Sequence, residues 1–160
     1  MALAAKLGFD QLRIPVDEEQ LFDEAGRPID KAFRLLDAAL DWCAEQKLRA
    51  IVDLHILRSH HFNAREKPLW TEPAAQEGFL SLWRQLSLRL ARRPLDQVAY
   101  EIMNEPVADD PGDWNRLLAR AVKAVRKREP RRVVVIGSNR WLSAETFDSW
   151  SCPLATGTSS

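Results

Sequence analysis

Two hydrophobic periods alternate along this chain. Across residues 29–47 the apolar positions Ala32, Leu35, Leu36, Ala39, Leu40 and Cys43 recur every three or four residues, the spacing of one helix face. The same stripe returns across 74–92 with Phe79, Leu82, Trp83, Leu86 and Leu90, and again after Pro111 with Trp114, Leu117, Leu118, Ala121, Val122 and Val125. Between these stripes lie short runs of strand formers at 11–16, 49–55, 97–103 and 132–136. The last, RVVVI, is nearly all apolar, as expected of a strand covered on both faces. Punctuation supports the division. Pro106 lacks the N–H a ladder needs, Asp110, Pro111 and Asp113 open a helix, and Pro130 closes it. Near the N-terminus, Leu3, Ala4 and Leu7 followed by Gly8 predict a helix tail with a glycine cap.

Strands alternating with helices predict a parallel sheet with right-handed crossovers. No glycine fingerprint follows any strand, so neither a dinucleotide fold nor a phosphate loop is signalled. That leaves a (β/α) barrel or an open sheet of another kind. A whole barrel takes roughly 250 residues and about eight strands. The 160 residues here offer about half of that, so the expected fold is α/β, a partial (β/α)8 barrel. Such a part-barrel leaves two open strand edges and exposes apolar inner strand faces, which predicts self-association.

Composition narrows the function classes. Lys plus Arg equals Asp plus Glu, giving zero formal charge, so no basic excess argues for nucleic acid. The apolar runs are strand-sized, too short for a membrane span. The N-terminus has no charged segment, apolar core and cleavage site in the order of a signal peptide, and the sequence does not set a compartment. The two cysteines, Cys43 and Cys152, have neither CxxC nor metal-ligand spacing. His60 and His61 fall in a long loop and are expected to be exposed; a zinc site needs more ligands than two adjacent ones. No metal or cofactor is implied. Charges are dense up to Asp148 and absent from residues 149–160. This predicts one domain over 1–148, followed by a disordered or non-native tail at 149–160.

The run YEIMNEP, residues 100–106, carries the chemistry. It reads as a strand ending abruptly in an amide, a carboxylate and a proline. In a parallel barrel, the C-terminal strand ends are where catalytic residues collect. Adjacent strand residues face opposite sides, so Asn104 and Glu105 share one site only if the strand is bulged or ended there. Taken alone, Glu105 is as well explained as a surface carboxylate, Asn104 as a turn residue before proline, Arg13 as an ion-pair residue and His55 as a core histidine.

Four motifs in order resemble glycoside hydrolase family 5, which contains many cellulases. GFDQLRIPV, with Arg13, is similar to the family's second strand, and VDLHIL, with His55, to its third. YEIMNEP is similar to the fourth, and VIGSNRW, with Trp141, to the fifth. The resemblance runs over about residues 7–148. It implies a retaining glycosidase of endoglucanase type acting on β-linked glucan or a related polysaccharide. Glu105 would be the acid/base and Asn104 would hold the sugar beside the broken bond. Arg13, His55 and Trp141 would complete the binding site, with Arg13 bracing the nucleophile. The family's later elements have no match: the histidine–tyrosine pair, the glutamate nucleophile and the last aromatic platform.

Retaining glycosidases need two carboxyl groups about 5–5.5 Å apart. Glu101 and Glu105 lie about 13 Å apart at strand rise and are not that pair. Asp53 lies deeper and is expected to brace the interior. Glu145 has no claim beyond its carboxylate. Two readings follow: a hydrolase segment with the acid/base and no nucleophile, or an inactive half-barrel that only binds glycan. Six tryptophans favour sugar stacking on indole. Trp83 and Trp114 fall on helix stripes and are expected in the core, Trp42 is ambiguous, and Trp70 and Trp141 are the expected platforms, with Phe62 third.

Overall fold

The computed structural model describes residues 1–61 and 63–152. Strands β1 (Gln11–Val16), β2 (Arg49–Leu54), β3 (Val98–Glu101) and β4 (Val134–Val135) form one sheet in the order β1-β2-β3-β4, and every pairing is parallel. The helices are α1 (Ala2–Lys6), α2 (Glu18–Leu21), α3 (Asp30–Glu45), α4 (Pro68–Thr71), α5 (Pro73–Leu90) and α6 (Pro111–Arg128). Consecutive strands are neighbours throughout, so the chain advances around one arc without reversing. Gly8 adopts φ +85° just after α1, the left-handed cap that glycine permits without a Cβ penalty.

The helices start where the sequence marks them. Pro73 and Pro111 occupy the first turns of α5 and α6, where the missing N–H costs nothing. The Asp110 side chain caps α6 by accepting from Gly112 N at 2.8 Å. The apolar stripes of α5 and α6 face the core, including the fully buried Trp83 and Trp114, whereas α3 buries Phe33, Leu36, Leu40 and Cys43 and leaves Leu35 of its expected stripe exposed. One sheet face meets them with Ala50, Val52, Leu54, Val98, Tyr100 and Ile102, each at most 2% exposed.

Strand alternation puts a different set on the other face. Arg13 of β1, Asp53 of β2 and Glu101 of β3 occupy positions of one parity in the observed register. On that face an ion-paired row thus stands among the apolar Pro15, Ile51 and Ala99, which share its parity. Two strands are shorter than predicted. β4 has a neighbour on one side only, and its pairing spans two residues. β3 stops at Glu101, where the Trp83 indole takes the Ile102 carbonyl at 2.9 Å and removes it from the ladder. Phe62 and residues 153–160, which include most of the expected tail, lie outside the described residues.

Candidate active site

The ion-paired row leads to a cleft at the C-terminal strand ends. Arg13, His55, Ile56, His60, His61, Asn104 and Glu105 line a space of about 190 Å³. Four of the five expected site residues thus meet there. Trp141 does not line it. Its backbone N–H donates to the Pro106 carbonyl at 3.3 Å, and its ring is 54% exposed beside the loop that carries Glu105. The other expected platform, Trp70, is half-buried, with its edge against His60 (5.1 Å) and Trp114 (6.3 Å). Trp42 is exposed on α3.

The backbone solves the parity problem. β3 has ended, Asn104 N still donates to the Leu54 carbonyl at 3.1 Å, and Glu105 turns left-handed at φ 42°. That conformation costs a non-glycine residue roughly 1–2 kcal/mol, and here it lets two consecutive side chains line one cleft. A second left-handed stretch, Arg140, Trp141 and Leu142, follows β4. Asn139 anchors it. The buried Asn139 side chain accepts from Ala108 N at 2.9 Å and donates to Ala108 O at 2.8 Å, joining the loops after β3 and β4.

Arg13 is the hub. Its Nε and Nη2 donate to the two oxygens of Glu101 at 2.7 and 2.9 Å, and Nη2 also reaches Asn104 Oδ1 at 2.8 Å and Asp53 Oδ2 at 2.9 Å. The Glu101 hydrogen bonds raise the pKa of its guanidinium above the ordinary arginine value. All of these contacts are made through Nε and Nη2, which leaves the two Nη1 donors for a further acceptor. Because Asn104 accepts through Oδ1, its amide N–H groups remain for a ligand.

His55 Nδ1 lies 2.6 Å from Asp53 Oδ2 and donates to it when that carboxylate is ionised. Asp53 is fully buried, and its Oδ1 has no partner among the described residues. Burial is the main cause that raises its carboxyl to about pH 6, with Glu101 adding to the rise and His55 and Arg13 opposing it. The native state therefore holds this proton more tightly than the unfolded chain does. Its stabilising contribution is complete below about pH 3.8 and is lost as pH rises through about 6. The ionised group then costs about 3 kcal/mol at neutral pH. Urea unfolding of wild type and Asp53→Asn at pH 4 and pH 7 should show the variant gaining on wild type as pH rises. A constant difference would rule the buried charge out as the source.

His60, expected to be exposed, is 4% exposed. Its Nε2 donates to the Glu105 carbonyl at 3.4 Å, Trp70 packs against its ring, and burial lowers its titration to about pH 4. The loop closes on itself through a bridge between Leu57 and His60, a contact that composition does not reveal. Among the described residues no group of three or more His, Cys, Asp or Glu could hold a metal, and no helix is long and apolar enough to cross a membrane.

Comparison with known proteins agrees with this architecture. The family described as Cellulase (glycosyl hydrolase family 5) matches residues 1–157. Endoglucanase C of Acetivibrio thermocellus is 30% identical over 144 residues, covering 88% of this chain and 42% of that protein. Cellodextrinase A of Ruminococcus flavefaciens is 27% identical, covering 93% of this chain and 45% of its own. The crystal structure of an endoglucanase from Thermotoga maritima superposes with a TM-score of 0.80 at 25% identity, over 94% of this chain and 47% of that one. This chain thus spans less than half the length of those relatives, and its sheet is an arc of their barrel. The chain belongs to glycosyl hydrolase family 5, the cellulase family.

Proposed function

We propose that this segment carries the acid/base half of a retaining glycoside hydrolase of endoglucanase type, acting on β-linked glucan. The observation that carries the proposal is the placement of Asn104 and Glu105 side by side in one cleft by the left-handed step after β3. Glu105 donates its proton to the glycosidic oxygen in the first displacement and activates water in the second. Asn104, its oxygen engaged by Arg13, offers its amide N–H to a sugar hydroxyl. His55 and Arg13 complete the polar lining, and the exposed Trp141 ring offers a stacking surface at the rim.

The second carboxylate must stand about 5–5.5 Å from the first. Among the described residues neither nearby acid is available: Glu101 is held bidentately by Arg13, and Asp53 is buried with its Oδ2 engaged. The nucleophile is then supplied from outside the described residues. The similar endoglucanase of Thermotoga maritima is known in complex with cellobiose and also with mannotriose. A β-1,4-glucan is accordingly the first substrate to test.

Two expected results separate a working site from a binding remnant. In a complete barrel that contains this segment, Asn104→Ala should depress kcat more than it raises KM, because a hydroxyl contact strengthens at the transition state. Trp141→Ala should mainly raise KM. Steady-state kinetics showing the reverse pattern would reject both roles. The 160-residue chain alone should release no reducing sugar from β-glucan and should self-associate. β1 and β4 each have one neighbour, and β1 borders an apolar groove of about 460 Å³ that includes Ile14, Leu21, Leu35 and Leu36. Unpaired edges of this kind invite pairing. A monodisperse, hydrolytic monomer by light scattering and sugar release would overturn the half-site assignment.

A further inference from the structure

We infer that Asp53 is the positioning residue that sets the hydrogen-bonding polarity of the cleft, acting through one buried oxygen. Oδ2 lies 2.6 Å from His55 Nδ1 and 2.9 Å from Arg13 Nη2. The first contact fixes His55 as the tautomer with its proton on Nδ1, which leaves Nε2 as the ring's acceptor. The second helps aim Nη2, the atom that also holds Asn104 Oδ1 at 2.8 Å. That contact turns the Asn104 amide so that its N–H groups remain for a ligand. One carboxylate oxygen thereby makes one cleft residue an acceptor and another a donor. A sugar offers both complements, because each hydroxyl donates and accepts.

The surroundings argue that Asp53 is kept for this role and not for stability. It is fully exposed to none of the solvent, and Oδ1 has no partner among the described residues. The charged groups facing it are Arg13 from β1, His55 from its own chain segment and Glu101 from β3, the last with like charge. Glu101 already accepts two hydrogen bonds from the Arg13 guanidinium. A buried carboxylate that Arg13 can spare, with one oxygen unsatisfied, is a poor choice for holding a sheet together. Strain of this kind is retained where a side chain must be held in one state.

The test uses the chain's three histidines, which give only three ring spin systems after selective ¹⁵N labelling. Ring-nitrogen shifts report the tautomer at pH 7.5 in wild type, Asp53→Asn and Asp53→Leu. Asparagine keeps an acceptor oxygen, whereas leucine keeps only bulk. The expected result is an Nδ1–H tautomer for His55 in wild type and Asp53→Asn, and conversion toward Nε2–H in Asp53→Leu. The leucine variant should melt no lower than wild type at that pH. His55 held as Nδ1–H in the leucine variant, or as Nε2–H in wild type, overturns the inference. So does a leucine variant that fails to fold while the asparagine variant has also lost the Nδ1–H tautomer.

The ligand half rests on the glycan reading proposed above and is measured separately. Titration with cellotetraose should show affinity reduced roughly tenfold in Asp53→Leu, about the worth of one well-made hydrogen bond. Equal affinity in the two proteins would overturn the polarity role. If wild type does not bind cellotetraose, the glycan reading fails, and the tautomer result still decides the role of Asp53.

Discussion

Glu105→Gln, placed in a complete barrel that contains this segment, is expected to slow hydrolysis of an unactivated β-glucan by about 10²–10⁴-fold, the usual worth of a positioned proton donor. The sugar leaving group is a poor one and departs only as it is protonated. An aryl glycoside with an acidic phenol needs far less help, so its glycosylation step should be much less affected. The contrast between the two substrates is the diagnostic, because a folding defect would reduce both equally. Glutamine keeps the size and the hydrogen-bonding shape of the side chain, and the left-handed backbone at Glu105 is unchanged by the substitution. Equal losses on glucan and aryl glycoside would remove Glu105 from the acid role.

The fold was legible because periodicity and punctuation agree. Pro73, Asp110 and Pro111 start helices where they stand, and the stripes through Trp83 and Trp114 bury as spaced. It was the family resemblance that grouped Arg13, His55, Asn104 and Glu105, and a barrel that puts successive strand ends side by side brings such residues into one cleft. The bond network behind them could not be read. Nothing in the chain pairs Arg13 with Glu101, 88 residues away, or marks Asn139 as the clamp on Ala108, 31 residues away. His60 was misjudged for the same reason. A loop of mixed polarity looks solvated, and only its closure over Trp70 buries the ring. Long-range side-chain contacts have no period, so pattern reading cannot find them.

The two ends of the strands are built for different purposes. At the C-terminal ends, Glu105 is left-handed and Asp53 keeps an unsatisfied oxygen. Near the N-terminal ends, Arg132, Glu129 and Tyr100 are buried with their partners supplied. A polar cleft at one end and a buried ion-paired network at the other fit the division of labour expected of a barrel, whose C-terminal face carries the chemistry and whose opposite face carries the stability.

Arg132 is the centre of that second end, and Arg132→Ala is expected to have the largest effect on stability of any single change in the chain. Its side chain is fully buried just before β4. The guanidinium donates to Glu129 Oε2 at 2.7 Å, to the Pro94 and Val98 carbonyls at 2.9 Å each, and to the Arg93 carbonyl at 2.8 Å. It also lies 5.1 Å from the Tyr100 ring centre. These partners belong to the chain after α5, the start of β3 and the end of α6, so one side chain ties together the entries to two strands. The other oxygen of Glu129 accepts from Ser87 Oγ at 2.7 Å and from the Tyr100 hydroxyl at 2.8 Å. Burial and that acceptor raise the Tyr100 phenol above its ordinary value and keep it protonated as a donor. Removing the guanidinium strands a buried carboxylate and several carbonyls, which costs about 3–5 kcal/mol. That is a large share of the roughly 5–15 kcal/mol by which a domain is stable. Arg132→Met combined with Glu129→Leu should recover part of the loss, because no charge is then left unpaired, although the carbonyls still lack a donor and the Ser87 and Tyr100 hydroxyls lose their acceptor. Urea unfolding of both single variants and the double variant measures the coupling directly. Strict additivity in that cycle would show that the pair does not act as a unit, and a loss below 1 kcal/mol for Arg132→Ala would show that water reaches these groups.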